Sequence, residues 1–142
     1  METSDVRKRI KDSLERAKKR AAERRARNTD DSATYEVFLQ SAAVPVFQQA
    51  ASALKAEGYP FVVHTPAGSV RLASEHSSHD FIDLRLDTLG ARPQVLLRVE
   101  RLKGRETTSH ERPLKPGATV SQLTEQDVLD AIAEGIEVLV ER

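Results

Sequence analysis

A chain of 142 residues with 22 Lys/Arg, 22 Asp/Glu and no cysteine is long enough for one ordinary domain and is balanced in charge overall. The lack of cysteine excludes disulfides, thiolate nucleophiles and cysteine-ligated zinc or iron-sulfur centres, and it fits a reducing compartment, so the cytoplasm is the expected location. No run of about 18 apolar residues exists, which excludes a transmembrane helix, and the basic start leads into more charge rather than into the apolar core of a secretory signal.

Charge is nevertheless separated along the chain. Residues 1–27 hold eleven Lys/Arg against five Asp/Glu, an excess of six positive charges, and the overall balance leaves the remainder with six more acids than bases. Each field attracts a partner of opposite sign. The first element is expected to be a helix over residues 4–27, with Thr3 or Ser4 as N-cap, Asp5 in the first turn and Asn28 at the stop. Asp12 to Arg16, Glu15 to Lys19 and Glu23 to Arg27 are acid-before-base pairs four apart, each worth ~0.2–0.5 kcal/mol. A narrow apolar seam of Val6, Ile10, Leu14, Ala17 and Ala21 implies a helix resting on something. Its large side chains end at Leu14, so the second half is expected to project or lie loosely over a span of about 35 Å. Transit peptides share the Arg-rich amphipathic character, but Asp5, Asp12, Glu15 and Glu23 count against that role.

After the polar break at residues 28–31, a second helix is expected from Ser32, collecting Tyr35, Phe38, Leu39, Ala42, Ala43, Val46, Phe47, Ala50 and Leu54 before Gly58. Pro45 in its middle predicts a kink, or two helices meeting near Val44. The hydrophobic period then changes to two. Residues 60–65 and 69–73 form a hairpin around Pro66, Ala67 and Gly68, and residues 81–87 and 94–103 form two further strands. Ile82, Leu84 and Leu86 face inward, as do Val95, Leu97 and Val99, while Asp83, Arg85, Asp87, Arg98 and Glu100 face outward; residues 107–112 add an edge strand. A final helix starts at Thr124, capped with Asp127, and buries Val128, Ile132, Ile136 and Leu139. This order predicts a two-layer α+β fold, an antiparallel sheet of four to five strands with the N-terminal helices and the C-terminal helix on one face, organised as a basic arm, 1–28, and a body, 29–142.

The arm carries the candidate partner- or phosphate-binding residues Arg7, Lys8, Lys11, Arg16, Lys18, Lys19, Arg20, Arg24, Arg25 and Arg27, with Val6, Ile10 and Leu14 as its packing seam. Such cation density suits phosphates, but no aromatic residue offers a stacking platform and no Asn or Gln between Arg7 and Arg27 offers base reading, so nucleic-acid binding would be sequence-tolerant. A coiled coil would need more than the two heptads present.

His76, His79 and Asp80 form an H-x-x-H-D cluster without the further ligands that a closed metal site needs, and His64 and His110 stand alone in or near strands. The six glycines are scattered, with no phosphate loop and no G-x-S-x-G elbow. Asp83 or Asp87 with Glu100 and Lys103 resembles the acidic and E-x-K elements of metal-dependent nucleases. Glu100 and Lys103, however, are three apart and would point to opposite sides of a strand, with Leu102 where the lysine belongs, and cross-strand ion pairs among Asp83, Arg85, Arg98 and Glu100 explain these residues more simply. The sequence therefore indicates a non-catalytic accessory or binding protein, with no cofactor, no metal and no membrane, whose arm meets an acidic protein partner or a second copy of the chain. Sequence-nonspecific nucleic-acid binding is the alternative, and a small metal-dependent hydrolase or nuclease is the second alternative.

Overall fold

An unbroken helical rod leads from the basic arm into the body of the protein, seen here in a computed structural model that describes residues 1–141. It consists of α1 (Thr3–Phe38), a π-helical turn (Leu39–Ala43) and α2 (Val44–Ala56). The expected stop at Asn28 is absent. Residues 28–31 include no Gly or Pro, and the hydroxyls of Thr29 and Thr34 donate back to the carbonyls of Arg25 at 2.9 Å and Asp30 at 3.0 Å. Polar side chains that bond backward in this way stay within a helix instead of capping a new one. Asp31 also lies 3.8 Å from Arg92, in the loop that follows the third strand, which ties this junction to the body.

Pro45 acts where it was expected to, through a π turn. The Val44 N–H reaches five residues back to the Leu39 carbonyl, and Pro45 falls in the first turn of α2, where its missing donor matters least. Across this region Tyr35, Phe38, Leu39, Ala42, Ala43, Val46 and Phe47 are buried and form one side of the core.

The other side is a five-stranded antiparallel meander in the order β1 (Phe61–His64), β2 (Ser69–Ser74), β3 (Phe81–Asp87), β4 (Gln94–Lys103) and β5 (Glu106–Pro113). Gly68 adopts φ +74° at the first hairpin, a conformation that favours glycine. Val70, Leu72, Ile82, Leu84, Val95 and Leu97 point into the core beneath the helices, as the alternation required. β5 is longer than expected but exposed and polar over most of its length, which discourages further strand addition.

α3 (Glu125–Val140) begins with the expected box: the Thr124 side chain accepts from the Asp127 N–H at 3.3 Å, and the Thr124 N–H donates to Asp127 Oδ2 at 2.9 Å. Val128, Ala131, Ile132 and Gly135 are its buried positions, with Ile136 and Leu139 packed at the margin. A Cβ on Gly135 would lie 2.7 Å from Ile82 Cδ1 and 3.1 Å from Val99 Cγ2, so its absence lets α3 settle against the sheet. Arg101 donates to the Glu141 carbonyl at the far end of α3. Among the described residues no helix is long and apolar enough to cross a membrane.

The Tyr35 hydroxyl donates to the Gly68 carbonyl at 2.7 Å, joining the rod to the first hairpin. Burial first, then the negative charges of Glu36 and Asp83, hold this phenol well above its ordinary range. The folded state thus binds the phenolic proton more tightly than the unfolded chain does. This contribution to stability is complete below the unfolded value of about 10 and is lost as pH rises beyond it. Urea unfolding of Tyr35→Phe at pH 7 should show a loss of about 1 kcal/mol from the missing hydrogen bond. Between pH 9 and pH 11 the variant should lose less stability than the parent; parallel alkaline losses in the two would exclude Tyr35 as their source.

Candidate interaction surface

The candidate binding side chains share one property, that their own chain leaves them uncovered. Arg7, Lys8, Lys11, Arg16, Lys18, Lys19, Arg20, Arg24, Arg25 and Arg27 are all exposed. Among the described residues none of them lies within 4.0 Å of a carboxylate, so the three acid-before-base pairs expected on the arm stay open, and the Arg16 guanidinium turns to Ser13 Oγ at 3.4 Å instead. Ion pairs in full water are worth too little to hold long side chains together.

The apolar seam is also open, since Val6 is 45% exposed and Ile10 and Leu14 are each 56% exposed. Helical geometry makes this informative. Ile10 precedes Tyr35 by seven turns to within about 20°, so the arm's stripe continues, past the edge of the body, the face that enters the core from Tyr35 onward. Ala21, Asn28 and Asp31 on this same stripe are half-buried, marking where the body's cover ends.

On the body, acidity is concentrated on α3, which carries Glu125, Asp127, Asp130, Glu134 and Glu137 and no Lys or Arg. Beside it runs a groove of about 330 Å³ between α2 and α3, floored by Val46, Ala50, Ala53 and Leu129 and edged by Gln49, Glu125 and Gln126. Leu129 is 48% exposed there. The sequence reading missed this groove because it exists only once α2 and α3 are neighbours.

The sheet face away from the helices bears a different feature. Arg71, Asp83 and Arg98 stand opposite one another on β2, β3 and β4, and both guanidiniums lie 3.0 Å from the same oxygen, Asp83 Oδ2. Arg71 also covers the Phe81 ring at 3.8 Å from its centroid, with Arg98 at 5.1 Å. Stacked guanidiniums shield this face, which is why Phe81 and Asp83 are only 3% and 5% exposed without a helix above them. The expected Asp83–Arg98 pair is present, whereas Arg85 pairs with Glu111 at 2.8 Å and Glu100 lies 3.7 Å from His79. Arg71 was missed as the second partner of Asp83, although the hairpin register places it directly opposite.

This arrangement bears on the nuclease pattern. Asp83 is occupied by two cations, Asp87 accepts from the Leu89 N–H at 3.0 Å, and Lys103 stands at the hairpin end opposite Glu106. In the H-x-x-H-D loop, Asp80 accepts from the Leu102 N–H at 2.8 Å, and His76 and His79 are exposed. No group of three or more His, Asp or Glu side chains placed to hold a metal occurs among the described residues. His64 and His110 are exposed on β1 and β5. Comparison with family models, with curated proteins and with solved structures returns no match.

Replacing Asp83 with Ala would leave two guanidiniums facing each other without a counter-charge. Breaking a fully buried pair costs ~3–5 kcal/mol, but Arg71 and Arg98 are 34% and 32% exposed and partly hydrated, so a loss of about 2 kcal/mol is expected in urea unfolding. An unchanged midpoint would show that the cluster is solvated in solution.

Proposed function

We propose that this chain is a non-catalytic accessory or binding protein that grips an acidic protein surface with its basic N-terminal helix, working in a reducing compartment such as the cytoplasm. One observation carries the reading: a helix fixed to the body presents eleven cations and an apolar stripe that nothing in its own chain covers. Burying an aliphatic side chain is worth ~1.5–3 kcal/mol, so Val6, Ile10 and Leu14 favour a partner that supplies apolar cover as well as negative charge. A protein groove with an acidic rim meets both requirements. The phosphates of a nucleic acid meet only the second, and binding to them remains the alternative, resting on the cations alone. No cofactor or metal enters either reading.

Two variants of the full chain separate the two readings, one with Val6, Ile10 and Leu14 changed to Ser and one with Arg7, Lys11, Arg16 and Arg20 changed to Gln. In capture from nuclease-treated lysate, the parent should retain a bound protein and both variants should lose it. Capture that disappears with nuclease treatment, or that ignores the stripe variant while following the charge variant, would overturn the protein-surface reading in favour of phosphates. On defined duplex and single-stranded oligonucleotides the phosphate reading requires log K to fall steeply as log salt rises.

A further inference from the structure

We propose that the acidic surface gripped by the arm is the α2–α3 groove of a second copy of this chain, each copy laying its arm into the other's groove to form a closed two-fold dimer. This rests on the reading above, that the arm binds protein, and it names the partner.

Charge, shape and spacing all support it. The arm holds six more positive than negative charges and the rest of the chain six more negative than positive, so two copies set arm against body neutralise each other. The groove is edged by one acid, Glu125; Asp130 and Glu137 are exposed farther along α3, whereas Glu134 lies on its other flank and meets Arg112 of β5 at 2.7 Å. Arg7, Lys11 and Lys18 flank the arm's stripe on one side at helical spacing and would lie on the α3 side of the groove, toward Glu125.

The shapes also match, large against small. Val6, Ile10 and Leu14 project from the arm, whereas the α2 side of the groove offers Ala50 and Ala53, which let another helix approach closely. The stripe covers about 12 Å from Val6 to Leu14, and the floor from Val46 to Ala53 covers about 10 Å. An aliphatic helix face with anchors four residues apart, seated in an apolar groove, is a recurrent mode of recognition.

Spacing then fixes direction. Laid antiparallel, Leu14 meets Val46, Ile10 meets Ala50 and Val6 meets Ala53, and the midpoint of every pair falls near residue 30. A single two-fold axis running between the two rods at the level of Asp30 therefore satisfies all three contacts twice, using each arm and each groove once. Such an isologous exchange closes at two copies and does not propagate into a filament. The continuous ladder through residues 28–31 is what gives the arm a fixed direction for this pairing.

The test uses the full chain. Sedimentation velocity at micromolar concentration in 50 mM salt should give a dimer whose dissociation constant rises at least tenfold in 500 mM salt, and at least tenfold on Ile10→Asp or on Leu129→Asp. Both substituted side chains are exposed in the single chain, and circular dichroism melting of each variant should match the parent. Because the chain has no cysteine, a Val6→Cys copy mixed with an Ala53→Cys copy should give a heterodimeric disulfide under mild oxidation, while Val6→Cys mixed with Leu89→Cys should not. A full chain that is monomeric at 100 µM, or cross-linking that is equal in the two mixtures, overturns the proposal. If such a monomer still captures protein through its arm in nuclease-treated lysate, only the identity of the partner is wrong; if it captures none, the protein-surface reading fails as well.

Discussion

The backbone hydrogen-bond ladder that runs without a gap through residues 28–31 decides how the two halves of this protein relate. Had Asn28 or Asp30 capped a new helix, the arm would hang from a swivel and its direction would be undefined. Instead the hydroxyls of Thr29 and Thr34 bond backward to the carbonyls of Arg25 and Asp30, and the core residues from Tyr35 onward set the axis of the whole rod. The uncovered stripe of Val6, Ile10 and Leu14 is then a geometric extension of the core face, and whatever covers it must approach from the side on which the body lies.

The body achieves its own stability by ordinary means, and its two sheet faces solve the same problem differently. Toward the helices, β-branched and leucine side chains meet Phe47 and Val128, and Gly135 allows α3 to approach closely. Away from them no second layer exists, and the stems of Arg71 and Arg98 take its place over Phe81 while their charged ends neutralise Asp83. The same ion pairs that exclude water there also occupy Asp83, one of the two aspartates of the nuclease-like pattern. The arm is different: among the described residues none of its candidate cations lies within 4.0 Å of a carboxylate, and of the acids on α3 only Asp127 and Glu134 lie that close to a cation.

Much of this was legible in the sequence where one physical cause dominated. Alternation at Ile82, Leu84 and Leu86 and at Val95, Leu97 and Val99 identified the strands and their inward faces, because period two has no other common origin. Thr124 followed by Asp127 marked the start of α3. Residues 28–31 misled because Asn, Thr and Asp bond equally well to a following N–H or to a preceding carbonyl, and only the absence of Gly and Pro hinted at continuity. The burial of Asp83 was hidden for another reason: it needs Arg71 and Arg98 together, and strand pairing supplies the first of them from a different part of the chain. The groove was less legible still, since its floor combines Ala50 and Ala53 with Leu129, about eighty residues away along the chain and brought near only by the packing of α3 against α2.

The continuity of the rod is the claim on which the arm's role depends, and a distance measured between two spin labels tests it directly. With Cys at Ser13 and Val37, both exposed and on either side of the junction, and with labelled chains diluted in unlabelled protein, a straight helix sets a separation of about 36 Å. A single narrow distribution near that value is expected. A broad distribution centred well below it would mean that the chain bends at residues 28–31, and the arm would then have no fixed direction in which to present its stripe.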